Sequence, residues 1–251
     1  MRTRIGSIVI SVLIMFLVLQ INTAMGGMVQ ADLVSYWNFD DGSADDSAGG
    51  NDGEIIGTPA SVEGKVGKGL ELNGTADNIK IASLDISPAV YPIITLMAWV
   101  YPASDGTGGQ GNRRFVFGHD NGDWDRGLLM QSANWRLGTG ADGTDYWDTG
   151  ATVDVNEWQH VAIVYTEEDI LFYKDGNEYS YGSPGNIGAG NTFLLIGTHP
   201  TQARFFQGII DEAAVYSRAL SEAEIRQNMD ASGMVVESLN KLAVCWGGIK
   251  N

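Results

Sequence analysis

The feature that most restricts the fold of this chain is its division into short apolar runs separated by turn residues. Val, Ile, Tyr, Trp and Phe are dense within the runs, whereas Gly, Asn and Asp are dense between them. This pattern indicates strands and turns, because β-branched and aromatic side chains pack well on a pleated sheet and glycine accepts the backbone angles of tight turns. The run from Trp158 ends in continuous apolar residues, which predicts a strand buried between two layers. The predicted strands of this all-β domain are Leu33 to Phe39, Gly69 to Asn73, Ile93 to Tyr101, Arg114 to Gly118, Leu128 to Gln131, Trp158 to Tyr165, Ile170 to Lys174, Phe193 to Gly197 and Phe206 to Tyr216.

Two local motifs predict how the elements begin and turn. Asp175-Gly176 is a two-residue turn that permits positive φ at both central positions, so it predicts a β-hairpin. Ser221, with Glu224 three residues later, forms a capping box whose side chains satisfy free backbone N–H groups. We expect one short helix that ends near Met229.

The N-terminal segment has the order of a secretory signal. Arg2 and Arg4 precede an apolar run from Ile8 to Leu19, and Val29-Gln30-Ala31 offers small residues to a signal peptidase before Asp32. An uncleaved membrane anchor is the alternative, but the run is shorter than the roughly 20 apolar residues that a spanning helix needs. We therefore predict a secreted protein that is not inserted in the membrane after cleavage.

Length and cleavage together predict three segments. Residues 1–31 form the signal peptide, residues 32–230 form one domain, and residues 231–251 form a tail or an additional strand. Cys245 is the single cysteine, so an intramolecular disulfide is excluded and the domain is stabilised by core packing or bound metal.

The strong acidic excess limits the possible partners. The full chain has a formal net charge of −16. Loss of the two signal-peptide arginines brings that charge to about −18. Such a surface repels nucleic acids and anionic membranes and favours cations.

The motifs of two common enzyme classes are incomplete. Residues from Gly106 to Gly111 have the spacing G-x-G-x-x-G, but the next segment is a predicted strand, whereas a pyrophosphate site needs a helix N-terminus there. The three histidines lack the spacing of a zinc-binding helix, and no second cysteine is present. We therefore expect neither nucleotide nor zinc chemistry.

Hydrolysis of polysaccharides is the enzymatic alternative. Sandwich-type glucanases carry their two catalytic carboxylates on one strand in the pattern Glu-x-Asp-x-x-Glu. The nearest approach here begins at Glu167 and has Phe172 in place of the second glutamate. No G-x-S-x-G motif exposes a serine nucleophile. We expect a non-catalytic protein and keep a polysaccharide hydrolase or lyase on the same sandwich as the alternative.

Two clusters rich in acidic residues and glycine, at opposite ends of the domain, suggest a calcium site. Asp46, Asn51 and nearby glycine carbonyls could supply several of the six to eight oxygens that calcium prefers, and Asp211 another. The loop lacks the EF-hand pattern. An ordinary solvated turn is the competing interpretation, because Asp, Gly and Ser favour turns in any case.

Eight segments of the chain follow one another in a specific order. They are Leu33-Val-Ser-Tyr-Trp-Asn-Phe-Asp40, Asp46-Ser-Ala-Gly-Gly-Asn-Asp-Gly53, Gly67-Lys-Gly-Leu-Glu-Leu-Asn-Gly74, Ile94-Thr-Leu-Met-Ala-Trp-Val100, Trp158-Gln-His-Val-Ala162, Phe172-Tyr-Lys-Asp-Gly176, Leu195-Ile-Gly197 and Gly208-Ile-Ile-Asp-Glu-Ala-Ala-Val-Tyr-Ser-Arg-Ala-Leu-Ser221. Each motif is loose, but their order is specific and spans residues 33 to about 228. Together they resemble the laminin-G-like, concanavalin A-like jelly-roll domains.

The resemblance implies a sandwich of two antiparallel sheets, often with a structural calcium ion (Ca²⁺), in secreted modules that bind glycans or extracellular proteins. By position, Asp46 and Asp211 match the usual metal-ligating aspartates of the family. The loop is one residue shorter than the common form, so Asp45 could take the place of Asp46. The predicted metal ligands are therefore Asp45, Asp46, Asn51 and Asp211.

The family does not fix a ligand site, so that prediction comes from loop residues. Exposed aromatic faces stack on sugar rings, and arginine holds carboxylates or hydroxyls. The predicted ligand-binding residues are Arg113, Trp124, Arg126, Trp135, Tyr146 and Trp147. Packing over the end of the sandwich is the competing role for each aromatic residue. We predict a carbohydrate- or glycoprotein-binding module, with a structural matrix or cell-surface adhesion protein as a further alternative.

Overall fold

The chain folds into a sandwich of two antiparallel sheets. The computed structural model describes residues 27–107, 113–119, 125–138, 146–181, 185, 187–200, 204–231 and 233. Within them, the strands are β1 (Leu33–Trp37), β2 (Glu54–Ile56), β3 (Ala60–Glu63), β4 (Lys68–Asn73), β5 (Asn78–Ile81), β6 (Ile94–Pro102), β7 (Arg113–Gly118), β8 (Gly127–Gln131), β9 (Asn134–Leu137), β10 (Trp147–Thr152), β11 (Gln159–Tyr165), β12 (Ile170–Lys174), β13 (Asn177–Tyr181), β14 (Leu194–Ile196) and β15 (Gln207–Tyr216). This architecture is a jelly-roll sandwich, as the sequence predicts.

Strands distant in sequence are neighbours in both sheets. The first sheet has the order β13-β12-β11-β6-β15-β4-β3, and β1 also pairs with β15. The second has the order β10-β9-β8-β7-β14-β5-β2. Strand β15 pairs with β4 through its first half and with β1 through its second half, so it changes neighbours midway.

The main core lies between the two sheets and follows the alternation of side chains along each strand. In β6 the inward set is Ile94, Leu96, Ala98 and Val100, all with no exposed surface. The central position of β11 is confirmed, because it pairs with β6 on one side and β12 on the other and all seven of its residues are buried.

The predicted hairpin joins β12 to β13. Asp175 and Gly176 have φ values of 51° and 70°, so both central residues adopt the left-handed backbone that this turn requires. The Asp175 carboxylate also accepts a hydrogen bond from the backbone N–H of His160, at 2.9 Å. The turn is thereby fastened to the neighbouring strand β11.

The helix α1 (Glu222–Asp230) begins at the predicted capping box, in which Ser221 and Glu224 bond reciprocally. It covers part of the outer face of the first sheet, where Ile225 packs in a second apolar cluster with Met97 and Tyr216. Residues just before β1 join this cluster, because Met28 is only 4% exposed.

The predicted signal run and nearly all of the predicted tail lie outside the described residues. Within the described part of the chain, no helix is long and apolar enough to span a membrane. The three predicted segments therefore stay predictions.

Candidate functional site

The first candidate is the acidic loop after β1, where Asp46 is almost fully buried. Its Oδ1 accepts backbone hydrogen bonds from Tyr36, Ala48 and Gly49 at 2.9 to 3.0 Å, and its Oδ2 accepts one from Asn51 at 3.0 Å. Burial opposes ionisation, but these four N–H groups lower the pKa of Asp46 below its ordinary value. Asp46 therefore organises its own loop.

The other two predicted metal ligands of this loop, Asn51 and Asp45, differ in their surroundings. The Asn51 side chain donates to Ser35 Oγ and accepts from Ser83 Oγ, both at 2.8 Å, so it links the loop to two neighbouring segments. Asp45 is exposed. The structure thus gives the loop an internal hydrogen-bond network rather than a set of converging free oxygens.

The second acidic cluster lies where β15 changes neighbours. A bulge at Asp211 and Glu212 interrupts the register with β6, and Glu212 adopts a φ of 51°, which is uncommon for a residue with a side chain. The bulge places two consecutive carboxylates on the same face of β15, because Ile210 before them and Ala213 after them both belong to the main core, and the two carboxylates are buried, with exposures of 0% and 4%. Regular alternation would place them on opposite faces.

These two carboxylates are bound by different parts of the first sheet. Asp211 Oδ2 accepts from the backbone N–H groups of Lys65 and Val66, at 2.8 and 3.0 Å, in the turn between β3 and β4. Glu212 Oε2 accepts from the hydroxyl of Tyr36 in β1, at 2.5 Å. Glu212 Oε1 is buried without a hydrogen-bond partner.

The local electrostatics show a deficit of positive charge around this pair. Burial raises the pKa of Asp211 to about 6 despite three backbone hydrogen bonds, and the charge of Asp40 adds to the shift. Burial also raises the pKa of Glu212 to about 7, with further contributions from Asp211 and Asp40. A nearby cation would reverse both effects.

The predicted metal ligands therefore fall into two groups. Tyr36 connects them, because its N–H bonds Asp46 and its hydroxyl bonds Glu212, but Asp46 and Asp211 have separate hydrogen-bond partners. Among the described residues, no three His, Cys, Asp or Glu side chains converge as an ion-binding group. Sequence reasoning selected Asp211 alone. The sequence signal for Glu212 is that it follows Asp211 directly inside an apolar strand, so both acids belong to the same candidate site.

A different surface carries aromatic and basic side chains. On the outer face of the second sheet, Phe115 packs with Leu129 and Tyr146 in a cluster separate from the main core. His199 stands edge-on to Phe115 at 4.7 Å between ring centroids. The Arg113 guanidinium lies 4.8 Å from the centre of the Tyr146 ring. We call these five residues the aromatic–arginine cluster.

Of the aromatic residues predicted to bind ligand, Trp147 is the one with substantial exposure. It lies next to Tyr146 at the start of β10 and is 37% exposed, whereas Tyr146 is 6% exposed. Trp124 lies outside the described residues. Trp147 is therefore the substantially exposed aromatic side chain among the predicted ligand residues that the structure describes.

Two other predicted ligand residues are buried in the structure. Trp135 is fully buried in the main core, where its Nε1 donates to Gln159 Oε1 at 3.1 Å. The reason is alternation along β9, which directs Trp135 inward and Arg136 outward. Arg126 is also buried, with 1% exposure, at the start of β8.

Comparison with known proteins identifies a family model that matches the chain. A laminin-G family model, described as the concanavalin A-like lectin/glucanases superfamily, matches residues 73–226, more than half of the chain. No significant match was found among curated proteins.

Solved structures share the fold at low sequence identity. Domain 4 of AbnA, a GH43 extracellular arabinanase from Geobacillus stearothermophilus solved in complex with arabinotriose, aligns with a TM-score of 0.61 and 21% identity, covering 78% of this chain and 98% of that one. The receptor binding domain of botulinum neurotoxin C/D mosaic serotype aligns with a TM-score of 0.61 and 14% identity over 79% of this chain and 51% of that one. The binding domain of botulinum neurotoxin DC in complex with SialylT aligns with a TM-score of 0.60 and 9% identity over 80% and 52%. This chain thus spans about half of each toxin domain.

Proposed function

This chain belongs to the concanavalin A-like lectin/glucanases superfamily, and we propose that it is a secreted, non-catalytic module that binds a carbohydrate or a glycoprotein and carries a structural calcium ion. The observation that supports binding most directly is the exposure of Trp147, which follows Tyr146 of the aromatic–arginine cluster in the sequence. A flat indole stacks on the C–H face of a sugar ring, and guanidinium N–H groups donate to sugar oxygens.

The fold supports the proposal by analogy. One similar structure is titled as a complex with arabinotriose and another as a complex with SialylT. Fold does not imply function, so the argument depends on this chain's own surface. The family and its neighbours also favour an extracellular location, in agreement with the predicted signal peptide.

The buried acids favour binding over hydrolysis. A glycosidase needs two carboxylates that face each other across an open cleft. Asp211 and Glu212 have the raised pKa values expected of a catalytic acid, but both are buried, and they are bound to the backbone of the β3–β4 turn and to Tyr36 respectively. In these positions they have no access to a glycosidic bond.

The same acids fit a structural calcium ion better than catalysis. Calcium takes carboxylate and carbonyl oxygens. Glu212 Oε1 is buried without a partner, and Asp40 adds negative charge at Asp211 and Glu212. A cation bound beside Asp211 and Glu212 would neutralise that charge and strengthen the links that these two carboxylates make to the β3–β4 turn and to β1. Asp46 and Asn51 would support it by shaping the adjoining loop.

Glycan-array binding with and without calcium tests the binding function. We expect retention on at least one class of glycan and its loss in Trp147→Ala. Trp158→Ala is the matched control, because Trp158 is half-buried against Tyr101, with 5.6 Å between ring centroids, and lies outside the cluster. No binding to any glycan or glycoprotein, or sustained release of sugar products, would overturn the proposal.

Thermal unfolding in calcium and in chelator tests the metal. An ion that binds only the folded state adds RT ln(1 + [L]/Kd), about 2.7 kcal/mol at a hundredfold excess over Kd. We expect this gain to disappear in Asp211→Asn. Asp46→Asn should destabilise the loop in both conditions and leave the gain. Equal stability of the unaltered protein in calcium and chelator refutes the site.

A further inference from the structure

The sandwich contains a pocket whose floor is formed by a buried arginine, Arg126. The pocket has a volume of about 270 Å³ and opens between the segment before β6 and the turn after β11. Arg126 lines it from the inside, while Pro92 and Glu167 are exposed at its mouth. Pro88 and Ile187 are half-buried and provide apolar walls.

The guanidinium of Arg126 has few partners for a charge that is so deeply buried. Its Nη1 donates to the carbonyl of Ile86 at 2.5 Å, and its Nη2 donates to the carbonyl of Pro92 at 3.2 Å. The Tyr165 ring centre lies 5.0 Å from its Cζ. The Nε is buried without a hydrogen-bond partner. Of the five N–H groups, two are thus accounted for by carbonyl oxygens.

The charge also lacks a counter-ion at close range. The salt bridges between described residues do not include Arg126, and Asp85 attracts it from a distance while contacting His119 at 3.4 Å. Burial lowers the pKa of Arg126 to about 10, so the group remains protonated at neutral pH. A buried cation without a paired anion is costly, and a carboxylate ligand would supply the missing charge.

We propose that this pocket binds the carboxylate of an acidic sugar residue, such as a uronic acid, and this inference rests on the carbohydrate-binding function proposed above. The free N–H groups of Arg126 form the planar fork that pairs with a carboxylate. Pro88, Pro92 and Ile187 suit the C–H face of one sugar ring. Glu167 at the mouth accepts hydrogen bonds from hydroxyl groups, which selects a hydroxylated acid over a simple one.

Titration with matched small ligands tests the pocket. The ligands are glucuronate, its methyl ester, glucose and acetate, and binding is followed by NMR on the protein with ¹⁵N-labelled arginine. We expect glucuronate to bind at least tenfold more tightly than each of the other three. We also expect the Arg126 Nε–H resonance, which has no partner in the free protein, to shift on binding. Equal affinities, or a preference that leaves this resonance unmoved, would overturn the pocket.

Two variants separate the pocket from the exposed surface. Arg126→Lys keeps the charge but removes the planar fork, so a folded variant should lose the preference for glucuronate. Trp147→Ala should keep it while losing the array ligand. If the array ligand binds through Trp147 and glucuronate shows no preference, the pocket fails and the proposed function stands. If neither the array nor glucuronate yields binding, both fail. If Arg126→Lys does not fold, the labelled resonance of the unaltered protein decides.

Discussion

The clearest consequence of the structure for stability concerns His160. Its imidazole has no exposed surface, stands edge-on to Trp99 with 5.3 Å between ring centroids, and has no hydrogen-bond partner at either ring nitrogen. Burial lowers the pKa of His160 from 6.5 to about 3. The imidazole is therefore neutral in the folded protein across the physiological pH range.

The sign and size of the effect follow from proton linkage. When the pKa of a histidine is lower in the folded than in the unfolded state, the free energy of unfolding is highest above pH 6.5. It falls as the pH falls, because the unfolded chain takes up the proton first. Between pH 7 and pH 5, the shift of His160 from 6.5 to about 3 removes about 2 kcal/mol from the free energy of unfolding. For a domain of this size, that corresponds to roughly 4–8 °C in Tm.

His160→Leu isolates this contribution. Leucine has a similar volume, does not titrate and leaves no unpaired nitrogen, so we expect a change of at most about 1 kcal/mol at pH 7. At pH 5 the variant should gain about 2 kcal/mol relative to the unaltered protein. Urea unfolding followed by tryptophan fluorescence, in chelator and at constant ionic strength, measures both. Parallel loss of stability in the two proteins, or an imidazole resonance that titrates near pH 6.5, would refute the reasoning.

Three further predictions concern the stability of segments near the candidate sites, namely the N-terminal segment, the cap of α1 and the turn at Gly67. A chain that begins at Asp32 should be about 2 kcal/mol less stable in urea than one that begins at Gly27, because it loses the buried Met28; equal midpoints would show that this packing contributes nothing. Ser221→Ala should cost about 1 kcal/mol by removing the cap of α1, and Ser221→Asn should restore most of it, so equal stability of all three proteins would contradict the cap. Gly67→Ala should cost more than about 1 kcal/mol, because φ is +56° and the added methyl would collide with a carboxylate; an unchanged Tm would contradict this.

The sequence predicted the elements whose side chains have a strong local pattern. Strand β11 and the hairpin at Asp175 follow from a continuous apolar run and a two-residue turn, and the structure has both. The helix is capped by Ser221, as expected, and ends at Asp230, one residue past the expected end. In each case the local pattern and the tertiary packing favour the same structure.

Short strands at or next to the sheet edges were not predicted, because they lack a strong local pattern. Strands β2, β3 and β9 have three or four residues, and the first two are largely exposed, so no apolar run marks them. Trp135 was assigned to a loop, because β9 was not recognised and without a strand there is no alternation to direct its side chain. The aromatic–arginine cluster joins residues from β7, β8 and later segments, and such a juxtaposition depends on strand order.

The bulge in β15 explains why the sequence predicted Asp211 but not Glu212 as a site residue. It also explains why this carboxylate pair matters for the whole fold. Alternation along a regular strand would place Asp211 and Glu212 on opposite faces, and the bulge, with its left-handed backbone at Glu212, places both on the outer face. The bulge lies where β15 leaves β4 and takes up β1, and the two acids bind the β3–β4 turn and Tyr36 respectively. Neutralising them with a cation would therefore strengthen the docking of β1. We infer that metal binding and attachment of the N-terminal strand are coupled, so the stability lost by starting the chain at Asp32 should be larger in calcium than in chelator.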